Sequence, residues 1–391
     1  MATTVAKISS TTDITTLTAA DFAKLTAADL AVLNKTQAAL VTADQLSGLV
    51  PAAIAAIEPV LKNIPADELA GISLKTIVSL PVKTLTATQM KGFTADQLSS
   101  LTVTQVGALN KAQISAIGDD EIASLNFNNV SIANIDQTKF DNLSAAQITK
   151  LTSAHINGLS AGQFAAITAE QAAAFTPTQA AFFKSFVSLN ATNVIPNLDP
   201  KFVAAMPSKL FANLSVSQLA AFSDTQVAAL TSAQVASLNA TKVGSSALDA
   251  NQNLQYLSKA ALAGFTSTNI QGVSLSSLTG DSQFASLTST QIAALSPAQI
   301  ASIGADNAGN LTAVQVGAIT AAQAPSLTVA EIQAITPAAF AALGSKAIAV
   351  LTTTTVEQIE AISADQAALM TPAQLKAMSA NQISELASDK I

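Results

Sequence analysis

Along most of its length this chain returns every eight residues to an apolar side chain followed by Thr, Ser or Asn. The first set is Leu17, Leu25, Leu33, Val41 and Leu49. Others run from Leu85 to Leu125, from Leu143 to Phe175 and from Leu214 to Leu238. The longest begins at Leu287 and passes through Leu295, Ile303, Leu311, Ile319, Leu327, Ile335 and Leu343 to Leu351; a last set links Ile362, Met370, Met378 and Leu386. The octad consensus is Leu-Thr-x-x-Gln-Ile-x-x, with Ala at most small positions. A fixed internal period restricts the chain to repeat architectures before any other feature is considered.

Each octad position has a physical role. Thr, Ser or Asn at position 2 is a strong helix N-cap residue, and Gln, Asp or Glu at position 5 completes a capping box. Positions 1 and 6 then fall at N′ and N4, the pair that forms a hydrophobic staple. Pro177, Pro297, Pro337 and Pro372 each follow the position-2 residue directly. That is N1, where proline is best tolerated. The octad therefore reads as a helix start repeated every eight residues, with helices of about six residues ended by the next cap.

Two other structures fit the period less well. A continuous α-helix would advance about 800° per octad, so its apolar seam would drift by about 80° each time and wind around the helix. A β-solenoid would put positions 1 and 6 on opposite strand faces, and Ala and Gln are poor strand residues. One octad buries two aliphatic side chains, worth roughly 1.5–3 kcal/mol each. Ordering eight backbone units costs on the order of 8–16 kcal/mol. Single octads cannot stand alone, so they must coil together around a shared core: an all-α solenoid of short capped helices.

The phase slips near 50–84, 126–142, 176–213, 279–286 and 352–361. The stretches 50–84 and 176–213 hold most of the proline but stay apolar, so they read as bends or alternative packing units. The expected organisation is a Thr/Ser-rich arm at 1–16, a solenoid over 17–175 containing the irregular segment 50–84, a proline-containing junction at 176–213, and a second solenoid over 214–391. Full octads run to Leu386 with no distinct polar cap after them, which points to an end covered by another molecule.

Composition narrows the function classes. All 18 basic residues are Lys, and the formal net charge is −7. Without the bidentate grip of Arg, and with an acidic balance, nucleic acid is a poor partner. With no Cys there are no disulfides and no thiolate metal sites. Mean hydropathy is +0.41, yet no apolar run reaches the roughly 18–20 residues of a membrane span. The nearest, 49–61, is broken by Pro51, Glu58 and Pro59. Met1 to Ile8 lacks the charged and apolar regions of a signal peptide.

No catalytic, cofactor-binding or metal-binding residue emerges, and the chain reads as a non-enzyme. The single His155 lies within an octad with no nucleophile or metal cluster around it in sequence. Acidic residues such as Asp21, Asp29, Asp44, Asp96, Glu170 and Glu331 fall in first helical turns, where they complement the helix dipole. The run Asp119-Asp120-Glu121 is the one place that raises Ca²⁺ binding, and it carries no glycine-rich loop or EF-hand pattern. Gly48, Gly92, Gly107, Gly158 and Gly317 are scattered at helix ends with no phosphate-loop grouping. Phe93, Phe175 and Phe222 stand in for Leu at core positions. Asn-x-Ser/Thr triplets at Asn142, Asn190, Asn213, Asn239 and Asn310 follow largely from the repeat itself.

The octads, for example LTSTQIAALSPAQIASI at 287–303, resemble repeat tracts of large secreted bacterial surface proteins, including adhesin-like and matrix-forming proteins. The resemblance implies an extracellular or cell-surface location and a self-associating or adhesive role. This chain departs from the pattern in lacking an N-terminal signal peptide and glycine/aspartate-rich calcium repeats. Secretion would then use an uncleaved C-terminal signal, and a cytoplasmic location stays open. The leading expectation is a self-assembling scaffold, such as a filament, sheath or surface-layer subunit, whose partner is itself. The alternative is an adhesion or ligand-binding solenoid that presents Thr, Ser, Asn and Gln arrays to a glycan or an ice-like surface.

Overall fold

The structure, a computed structural model, describes residues 7–126, 130–244, 247–278, 283–353 and 357–387. Among the described residues the regular elements are short α-helices and 3-10 turns, with no strand. The protein is an all-α solenoid.

The octad starts helices as its chemistry predicts. At Thr42 the hydroxyl accepts the Gln45 N–H at 3.3 Å while Gln45 Oε1 accepts the Thr42 N–H at 3.0 Å, opening the helix Ala43–Ser47. The same reciprocal box opens helices at Thr94, Thr168, Thr288 and Thr371. Pro177, Pro297, Pro337 and Pro372 are each the first residue of a helix. Each helix ends when the next position-1 residue turns extended. Its N–H still closes on the position-6 carbonyl, as from Leu49 to Leu46 at 3.1 Å.

Positions 1 and 6 are buried along most of the coil, with Leu17, Phe164 and Leu375 among the exceptions, and a glutamine at position 5 is buried with them. These glutamines are the polar lining of an otherwise aliphatic and phenylalanine-containing core.

Each helix packs on the one three sides later. Ala19–Phe22 packs on Ala43–Ser47, which packs on Asp67–Gly71; Ala87–Met90 packs on Lys111–Ala116. In the later part Ser208–Phe211 packs on Ser232–Ser237, and Ala305–Gly309 on Val329–Ala334. One turn of the coil therefore has three sides. Glycines allow close stacking at several helix ends: a Cβ on Gly48, for example, would lie 2.0 Å from the Ala19 carbonyl oxygen, and one on Gly92 1.7 Å from that of Ala66.

The phase slips are changes in side length. Four sides made wholly of described residues are five residues long: Asp13–Leu17, Pro81–Leu85, Ser131–Ile135 and Ser274–Leu278. Each holds one 3-10 turn in place of an α-helix. Each also keeps the final closure of the octad, as from Leu85 N–H to the Val82 carbonyl at 3.2 Å. A five-residue side is an octad with one helical turn of three residues removed. The side from Leu351 to Ile362 is longer by the same three residues, which lie between the cap Thr352 and Gln358, whose Oε1 accepts the Thr352 N–H at 2.9 Å. A few sides depart from this step, such as Leu189 to Leu198. The slip at 279–286 lies partly outside the described residues.

The chain divides into two compact units, Met1–Phe183 and Lys184–Ile391. The division falls inside the proline-containing stretch 176–213, whose residues join one coil or the other. The segment 50–84 likewise stays in the coil, with Pro51–Ile54 packed on Leu74–Ile77. Nor do residues 7–16 stand off as an arm: Ile8 and Ile14 are buried, and Gln37 Nε2 donates to the carbonyls of Ser9 (2.8 Å) and Thr12 (2.9 Å). Two apolar residues and backbone carbonyls at the right spacing are enough to seat this polar segment. The rest of the expected arm, 1–6, is outside the described residues.

Gln234→Leu should destabilise the chain by about 2–3 kcal/mol, because it leaves the Met206 carbonyl and the Thr231 N–H without partners and takes one of two donors from the Val203 carbonyl. Thr231→Val, which loses only the cap hydroxyl, should cost about 1 kcal/mol. Denaturant unfolding of the two variants checks the order.

Candidate functional surface

The buried polar chain of contacts starts at position 5. Gln45 Oε1 caps its own helix, and its Nε2 donates to the carbonyls of Ile14 (2.7 Å) and Leu17 (2.8 Å) in the turn below. Those acceptors are the position-6 residue of one side and the position-1 residue of the next, at a corner of the coil. The position-6 carbonyl already receives one N–H, so its second lone pair takes the amide. One glutamine thus satisfies the start of its own helix and the end of another.

The sequence separation of these bonds tracks the side lengths. It is 28 and 31 residues for Gln45, 25 and 28 for Gln105, and 22 and 25 for Gln147. One five-residue side, Pro81–Leu85, lies beneath Gln105, and beneath Gln147 the chain takes two five-residue steps, from Leu125 to Val130 and on to Ile135. For Gln366, above the lengthened side, it is 31 and 34. Every bond spans three sides; only the residues per side change.

Other residues at position 5 keep the arrangement by different chemistry. Asn269 Oδ1 accepts the Thr266 N–H, and its Nδ2 donates to the carbonyls of Val235 and Leu238. Lys242 reaches the Ala212 carbonyl. Glu68, which has no donor, instead accepts the Ala43 N–H at the start of the helix below. Asp21 and Asp29 close capping boxes with Thr18 and Thr26. Those bonds, hydroxyl and backbone together, hold both carboxyls below the usual carboxylate range.

His155 is one of these replacements. Its Nδ1 accepts the Thr152 N–H at 3.1 Å, as a glutamine oxygen would. The ring is buried. Burial pushes its pKa down from 6.5, opposed by its hydrogen bond to the Val130 backbone.

The acidic run at 119–121 is drawn into the same scheme. Lys139, at position 5 of its side, places its ammonium 2.5 Å from Asp119 Oδ1 and also donates to the Ile117 carbonyl. Asp136 caps the Lys139 N–H at 2.9 Å and accepts the Ser115 hydroxyl at 2.6 Å, which lowers its pKa. Desolvation and the nearby Asp136 push Asp141 up. Among the described residues, no three His, Cys, Asp or Glu side chains converge on a point that could hold a cation. No helix among them is long and apolar enough to cross a membrane.

What faces solvent is small and mostly uncharged. Positions 3, 4, 7 and 8 carry Ala, Ser and Thr for the most part, and the N-cap hydroxyls recur at the corners. Large apolar groups also break the surface. Val32, Val50, Leu74 and Val78 are each 38–48% exposed. Leu74 begins, and Val32, Val50 and Val78 flank, three helices that pack in succession on one side of the coil: Ala27–Leu30, Pro51–Ile54 and Leu74–Ile77.

One comparison with known proteins bears on this arrangement. The family model of the ALTTAQ repeat matches residues 203–240. Within the match, Ala229-Leu230-Thr231-Ser232-Ala233-Gln234 reads that hexapeptide with serine for the second threonine. It ends on a glutamine that spans two turns. The chain is thus a repeat-containing protein, and the matched segment includes Gln218, Gln226 and Gln234, all bonded to the turn below. None of the curated proteins matches the chain.

The buried histidine gives the coil a pH response. His155 is held neutral when folded, so the unfolded chain takes up the proton first as pH falls. Stability should therefore begin to drop through the ordinary value of 6.5, with the loss complete below the lowered folded value. Urea midpoints from pH 8 to 5 should show this component in the native protein and not in His155→Gln, which restores the consensus residue.

Proposed function

We propose that this protein is a non-enzymatic structural protein, a subunit of a self-assembling extracellular scaffold. The observation that carries the proposal is the outward surface: side chains too small and too weakly charged to keep two coils apart, with Val32, Val50, Leu74 and Val78 along one side of the coil. Exposed apolar side chains on stacked helices are places where a second surface can gain by burial. Charged residues make up only 11% of the chain, which limits the repulsion between copies. The extracellular setting follows from the resemblance to bacterial surface-protein repeats.

The second reading, adhesion, is favoured by the exposed N-cap hydroxyls that recur at the corners, an array suited to hydrogen bonding a glycan or another ordered surface.

Light scattering and negative-stain microscopy of the purified chain, with and without Ca²⁺, should show concentration-dependent assemblies. Leu74→Lys combined with Val50→Lys should reduce them while leaving the fold intact by circular dichroism. A chain that stays monomeric at high concentration in both conditions sinks the scaffold proposal, and binding of that monomer to a glycan array would support adhesion in its place.

A further inference from the structure

Within the longest run of unbroken octads, one corner is wired in reverse. At an ordinary corner such as Leu295–Ser296, the Leu295 carbonyl receives Gln323 Nε2 from the turn above at 2.7 Å. The Ser296 N–H goes to Gln299 Oε1 on its own helix at 2.9 Å. The next corner, Ile303–Gly304, exchanges these roles. The Gly304 N–H donates to Glu331 Oε1 of the turn above at 2.9 Å, and the Ile303 carbonyl accepts from Asn307 Nδ2 on its own helix at 3.0 Å. Glu331 Oε2 still caps its own helix by accepting the Thr328 N–H at 2.8 Å.

The three residues that depart from consensus here are the ones that the exchange needs. Turning over the peptide requires a left-handed backbone, and Gly304 has φ +78°, the one positive value among the described glycines. Nothing crowds its missing Cβ, so the glycine serves backbone conformation and not space. Asn307 supplies the donor for the outward carbonyl. Glu331, 1% exposed, is an acceptor only and must meet an N–H.

We infer that Gly304, Asn307 and Glu331 form a register key. Glutamine corners are interchangeable, so a run of nearly identical octads could loop one out and still satisfy every amide. Glu331 cannot do so: over any ordinary corner of the run its carboxylate would face carbonyl oxygens. The pairing therefore fixes the side beginning at Ile303 as the third below Glu331. A single buried polar group that sets register is an established device in coiled coils.

The full-length chain tests this. Gly304→Thr should lower the melting temperature by several degrees. The matched control is Gly344→Thr, at an N-cap with φ −59° beneath the ordinary donor Gln374, which should lose nothing. Glu331→Gln should be nearly neutral, because the peptide can turn back, and it should rescue Gly304→Thr. Glycine-labelled NMR of Glu331→Gln should place Gly304 at negative φ. A consensus octad inserted after Ala318 should depress the melting temperature in the native background and much less in Gly304→Thr/Glu331→Gln. Equal loss from the insertion in both backgrounds, or failure of Glu331→Gln to rescue Gly304→Thr, overturns the inference.

Discussion

The fold depends on one side-chain amide used at both ends. Helices of four to six residues leave nearly all their backbone N–H and C=O groups without partners inside the helix. Such segments are far below the length at which a helix holds itself together in water. In this coil the position-5 glutamine takes an N–H at the start of its own helix and gives two protons to carbonyls at the corner beneath. Glutamine is suited to this because it is neutral and carries an acceptor and two donors on a reach that spans adjacent turns. Each bond contributes only about 0.5–1.5 kcal/mol net. The larger consequence is negative: without each amide, one N–H and one carbonyl would lose their partners, and a second carbonyl would keep only its backbone donor.

That bridge explains how the coil tolerates irregular sequence. The amide senses corners and not the length of chain between them, so a side can lose or gain a helical turn while the corner stays in place. Asp13–Leu17 and Pro81–Leu85 keep an apolar pair three residues apart, as positions 6 and 1 do in every octad, and omit the residues between cap and core. The substitutes for glutamine obey the same rule. Asn269, Lys242 and His155 offer a donor to a carbonyl, and Glu68 and Glu331 meet an N–H. In each the side chain and the backbone below it match in polarity.

Much of this was legible in the octad. The N-cap threonines, the N1 prolines and the staple between positions 1 and 6 are local features, and local chemistry dictates them. The other half of the glutamine's role was not legible, because its carbonyl partners lie 22 to 34 residues away and no local pattern names them. A signal did exist. Gln at position 5 is buried as consistently as Leu, and a capping box alone needs only its oxygen, so its near-exclusive use over Glu hinted at a required donor. The phase slips misled for a related reason. Counting eights makes a five-residue side look like a break, whereas the coil counts sides. Residues 7–16 read as an arm because their polar composition hid Ile8 and Ile14, two anchors without a full octad around them.

The same division separates what the repeat fixes from what it leaves free. Positions 1, 5 and 6 face the core, position 2 caps, and these four are constrained by contacts within the chain. Positions 3, 4, 7 and 8 mostly answer to no neighbour in the turn beneath, apart from glycines in close approach and Asn134, whose Nδ2 donates to the Leu109 carbonyl at 3.2 Å. Their composition is then free to respond to whatever lies outside, and here it is small, hydroxylated and nearly uncharged. Selection for solubility alone would favour Lys and Glu at such positions, since both are good helix formers and cost nothing in packing. Their scarcity on four free positions in every eight is therefore a property of the surface and not of the fold. It is the feature on which the proposed self-association rests, since a second copy of the chain carries the same surface by construction.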